Sequence, residues 1–134
     1  MLRVKNRYEG CQSFLSEGCL FLALCSIAEE ARQKEVDILD ALYYCKDKGY
    51  IDDKNIMSVR GQEELLEYLT GKVWSREVMS ELPLVVPDEM YTIEKWQNAR
   101  TGFTHFKRRY MDTLINSVTV KEGELVEYYT YSWS

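Results

Sequence analysis

The chain has 134 residues, the usual size of one domain, with 17 Lys+Arg against 22 Asp+Glu and a net charge of -5. That balance argues against a nucleic-acid binder that works by neutralising phosphates. The content of 46% hydrophobic and 29% charged residues is that of a globular protein able to bury a core without staples.

Residues 1–18 read as irregular, with turn material at Tyr8-Glu9-Gly10 and Ser16-Glu17-Gly18. The start has basic residues but no apolar stretch with a small-residue cleavage site, so no signal peptide is expected. A helix is expected from Cys19 to about residue 33. Its first half is apolar all round, which places it among other elements, and its second half, EEARQK, is polar. The uncharged run 19–28 is far shorter than the roughly 20 residues of a spanning helix. No membrane association is expected, and a cytoplasmic setting is.

A second helix is expected over about 36–48, capped by Asp37, stopped by Gly49, with Leu39, Leu42 and Tyr43 as its apolar stripe. A third is expected over about 62–69, with Leu65, Leu66 and Leu69 inward and Gly71 after it. Beyond residue 80 come short β-rich runs: EMYTIEKW, GFTHFKR, RYMDTL, SVTV and LVEYYTY, with turn signals at Asn98, Gly102, Asn116 and Gly123. The tail YYTYSW reads as an edge strand. Helices first and strands second predict an α+β fold, helices packed on one face of a mostly antiparallel sheet, in a single domain over residues 1–134.

The four cysteines are Cys11, Cys19, Cys25 and Cys45. Without export they read as free thiols. No Cys-x-x-Cys pair exists and there is one histidine, so neither a structural zinc nor any other cofactor is expected. Cys25 reads as a core residue, and Cys45, one turn before a helix end, as core or half exposed. Lys107-Arg108-Arg109 reads as a solvated hairpin tip.

The single histidine, His105, sits in FTHFKR, where alternation puts it on the face opposite Thr104 and Phe106. If the chain reverses between Arg108 and Arg109, His105 faces Asp112 and Phe106 faces Met111. A carboxylate beside an imidazole fixes its tautomer and supports the imidazolium. A thiol at a helix N-terminus is drawn towards its thiolate by the helix dipole, and Cys19 occupies such a position. Thiol, imidazole and carboxylate together form the set used in nucleophilic thiol catalysis.

The segment EGCLFLALCSIAEE resembles the nucleophile helix of papain-like peptidases, in particular a small phage and prophage-type bacterial family akin to bacteriocin-processing peptidases. The resemblance continues through ALYYCKDKGYIDDKNIMSVRGQEELLEYLTGK, YTIEKWQNARTGFTHF and MDTLINSVTVKEGELVEYYTYS, nearly the whole chain. It implies a papain-like fold. It further implies Cys19 as nucleophile, His105 as base, Asp112 as orienting group, and Gln12 beside the Cys19 backbone N–H as oxyanion donor. Met111 stands where that family has an aromatic residue before the aspartate. The expected activity is a cysteine hydrolase, a peptidase or amidase, acting on a peptide or protein substrate. The alternative is a catalytically silent papain-like fold of phage or prophage origin that binds or inhibits a host protein, its acidic surface suiting a basic groove. No propeptide or extended substrate-binding loops are expected from the sequence, which suits this alternative.

Overall fold

Ten consecutive uncharged residues from Cys19 cannot satisfy a surface, and the chain winds them into a helix enclosed by the rest of the fold. The computed structural model describes residues 19–52, 57–100, 102, 104–109 and 123–133. Helix α1 spans Cys19–Arg32, and every residue from Cys19 to Glu29 is buried. Each of the fully enclosed Leu22, Leu24 and Ile27 side chains contributes about 2 kcal/mol through removal from water. The expected polar second half departs at one place. Glu29 is buried, and its carboxylate accepts the Val36 backbone N–H at 3.0 Å, closing the turn after the helix. Arg32 donates from its two Nη atoms to the carbonyls of Leu69 and Glu35, which ties this turn to the end of the third helix.

Helix α2, Ile38–Asp47, is capped as expected: the Asp37 side chain accepts the Asp40 N–H at 3.1 Å. The face it buries is not the expected one. Ile38, Ala41 and Cys45 point inward, while Leu39 and Tyr43 are 59% and 68% exposed. The Leu39–Leu42–Tyr43 stripe is therefore corrected to a half-open surface. Two apolar stripes compete on this short helix, and the smaller side chains of Ala41 and Cys45 allow the closer approach to the core.

Helix α3, Val59–Thr70, begins three residues earlier than expected because the Ser58 hydroxyl accepts the Gly61 N–H at 3.0 Å. Leu65, Leu66 and Leu69 are buried, as the spacing predicts. Gly71 ends the helix in the left-handed conformation, φ 73°, where a side chain would be strained.

Four strands follow: β1 Trp74–Met79, β2 Met90–Gln97, β3 Thr104–Arg108 and β4 Glu124–Trp133. They form one antiparallel sheet in the order β1-β4-β2-β3. The fold is thus α+β, with three helices N-terminal to a four-stranded sheet among the described residues. Two expectations change. Strand β1 is not expected from the sequence, since Trp74 is the only buried residue in WSREVM and the rest are half-buried or exposed. The C-terminal run, expected at an edge, is the central β4, pairing with β1 through Trp74↔Trp133 and with β2 through Ile93↔Tyr129. Its tyrosines suit that position: Tyr131 is fully buried and donates its hydroxyl to Gln62 of α3 at 2.6 Å. The runs RYMDTL (beyond Arg109) and SVTV fall outside the described residues, as does the turn that would set His105 against Asp112.

The register defines two faces. Trp74, Tyr91 and Trp133 join rings at 5.1 to 5.7 Å on the face with Ile93, Tyr129 and Tyr131. Helices α3 and α1 pack on the sheet, α3 at β1 and α1 at β3, and α1 also packs on α3. Gln62 meets Tyr131 and Ser26 meets Arg108, so this aromatic face is the one the helices cover.

Candidate functional site

Cys19 is the first residue of α1 and is 2% exposed, within the cluster that holds Leu20, Phe21 and Leu22. Cys19, Cys25 and Cys45 are all buried. His105 is the second residue of β3 and is 3% exposed. It stands opposite Trp96 of β2. The helix that carries the thiol packs directly on the strand that carries the imidazole.

The pleat decides which way each side chain of β3 points. Arg108 reaches α1: it donates to the Ser26 hydroxyl at 3.1 Å and pairs with the Glu30 carboxylate at 2.6 Å. Phe106 lies two residues before it on the same face and meets the Tyr129 ring at 5.4 Å. Lys107 pairs with Glu94 at 3.6 Å on the other face, where Trp96 also donates to Glu94. His105 shares that second face, as expected from its separation from Thr104 and Phe106. The pleat therefore sets His105 on the side of β3 opposite the Arg108 side chain that reaches α1. Strand β3 is the last in the order of the described strands. Gln12, Asp112 and Cys11 lie outside the described residues.

The basic triplet is not the solvated hairpin tip expected from the sequence. Arg108 is only 5% exposed, and its guanidinium also lies over the Tyr91 ring at 5.6 Å. Arg109 sits over Tyr128 at 5.8 Å, and its N–H donates to the Thr92 carbonyl. A run of three cations on an alternating strand sends one of them inward, and a buried carboxylate or hydroxyl must then receive it. The acidic pair Glu29-Glu30 on an otherwise enclosed helix was the available signal for that partner.

Burial pushes the Cys45 thiol up from about 9 to about 12. Its folded form stays protonated where the unfolded chain ionises. The associated stability is therefore complete below pH about 9 and is lost as the pH rises towards 12. Melting temperature should decline across that window, and less steeply in Cys45→Ala. Equal slopes in the two proteins would show that this thiol ionises freely in the fold. Burial likewise raises the Tyr131 hydroxyl above the ordinary phenol range.

Among the described residues no group of three or more His, Cys, Asp or Glu side chains converges as a metal site, and no helix is long and apolar enough to cross a membrane. Comparison of the chain with protein-family models, curated proteins and solved structures finds no match. The class defined by fold and site is thus an α+β protein with a thiol-headed helix packed on a histidine-bearing strand.

Proposed function

We propose that this protein is a papain-like cysteine hydrolase acting on an amide or related acyl bond of a peptide or protein. Cys19 attacks the carbonyl carbon, His105 takes the thiol proton and returns it to the leaving group, and Asp112 orients the ring. The Cys19 backbone N–H and Gln12 receive the oxyanion. The observation that carries the reading is the packing of α1, headed by Cys19, on β3, which bears the one histidine in the chain. Helices over an antiparallel sheet suit it as well. Catalytic contacts are often long in unliganded proteins and close only with substrate.

A second reading, a binding or inhibitor protein that keeps this fold without turnover, is favoured by the register. His105 lies on the side of β3 away from Arg108 and α1. The rate of iodoacetamide alkylation of each cysteine against pH, in wild type and His105→Ala, separates the two. The hydrolase reading expects Cys19 to react well below pH 7, ahead of Cys45, and to lose that advantage in the variant. A Cys19 that titrates near pH 8.5 with or without His105, as an ordinary thiol does, leaves the binding reading.

A further inference from the structure

The stripe that α2 leaves open borders an aromatic and acidic surface that the thiol chemistry does not use. Tyr44 of α2 stacks on Tyr68 of α3, with centroids 3.9 Å apart and planes 8° from parallel. The Tyr68 hydroxyl donates to Asp40 Oδ2 at 2.9 Å. Tyr43 stands beside them, 68% exposed, one turn after the exposed Leu39. Together Asp40, Tyr43, Tyr44, Lys46, Asp47 and Tyr68 line a shallow depression of about 610 Å³. Lys46 is the one cation among these lining residues.

The charge around this shelf is acidic beyond its lining. Burial raises the Tyr44 hydroxyl first, and after the neighbouring Tyr50, the carboxylates of Glu64 and Glu67 act in the same direction. Arg60 offsets part of Glu64 at 3.7 Å. No described base offsets Asp40 through an ion pair. Its carboxylate instead accepts the Tyr68 hydroxyl, which increases the electron density of that ring.

We propose that the tyrosine shelf between α2 and α3 docks an arginine- or lysine-bearing segment of a partner protein. Charge complementarity selects this occupant. Exposed phenol faces attract a guanidinium or ammonium, and adjacent carboxylates receive its N–H groups. An apolar partner would strip water from Asp40 and Asp47 without replacing it. The overall charge of -5 steers basic segments towards the protein. Tyrosine is also among the residue types enriched at interfaces. The proposal stands on residues separate from Cys19 and His105 and holds whether or not the thiol turns over.

The probe is the peptide acetyl-Gly-Arg-Gly-Arg-Gly-amide, titrated into the ¹⁵N-labelled full chain and followed by amide chemical shifts, with the glutamate analogue as control. The expected shifts cluster in residues 39–47 and 64–68. Tyr43→Ala and Asp40→Asn should each weaken binding about threefold, the loss of one exposed cation–π or charge contact. Both changes fall on exposed positions, and asparagine still accepts the Tyr68 hydroxyl, so neither threatens folding. Four results overturn the proposal: shifts that map elsewhere, an unchanged affinity in both variants, equal binding of the glutamate peptide, or no saturation by about 10 mM. Concentration-dependent self-association that Tyr43→Ala abolishes also overturns it, by making a second copy of the chain the occupant.

Discussion

Phe21→Ala should lower the free energy of unfolding by about 4 kcal/mol, the largest effect expected of any single substitution here. Phe21 is 1% exposed, in the first turn of α1. Its removal takes a large ring from a close-packed interior and leaves a cavity that the enclosed helix cannot collapse to fill, because Leu22, Leu24 and Leu66 are equally confined. At this chain length the melting temperature should fall by about 12 °C or more. Urea denaturation monitored by circular dichroism measures the change. A cost below about 1 kcal/mol would mean that the start of α1 is not part of the core. Cys19 lies in the same turn, so its alkylation should quicken in this variant at constant pH as the turn loosens.

The second large effect belongs to Arg108→Ala, at about 2 kcal/mol. Its guanidinium bridges the Ser26 hydroxyl and the Glu30 carboxylate and carries α1 onto β3. Truncating one partner of a fully buried ion pair costs roughly 3–5 kcal/mol. Here the Glu30 side chain is 40% exposed and regains water when the pair is broken, which reduces the loss. A double-mutant cycle with Glu30→Ala should yield a coupling of about 1 kcal/mol. Zero coupling would sink the bridge as a determinant of the α1–β3 contact and leave Arg108 with a packing role only.

How far the sequence could be read depended on how many neighbours each choice involved. The caps at Asp37 and Ser58 and the stop at Gly71 are settled within a few residues of backbone, by side-chain acceptors and a positive φ. Asp37 and Gly71 were legible for that reason. Ser58 is less legible, because Gly61 interrupts the helical pattern and moves the expected start of α3 to residue 62. The enclosed character of α1 was legible because no outward polar face exists to contradict it.

The inward face of α2 was not legible. Leu39 and Tyr43 against Ile38, Ala41 and Cys45 is a contest between two stripes of one helix, decided by which fits beneath α1 and α3. The role of Arg108 was hidden for a related reason. Whether a cation in a basic run is solvated depends on what lies 82 positions away at Ser26.

By itself the sequence determined the α+β class, the Asp37 cap and the Gly71 stop, the enclosure of Cys19, Cys25 and Leu65-Leu66, and the placement of His105 on a strand. These follow from local backbone propensity and from the burial of apolar side chains, which act over single turns and pleats. The tertiary structure decided that YYTYSW is a central strand, that β1 exists to flank it, that Arg108 is buried, and which side of β3 faces the thiol helix. Strand order and facing depend on pairings between segments tens of residues apart. A one-residue change of register would reverse every side chain of β3, and only the assembled sheet fixes that choice.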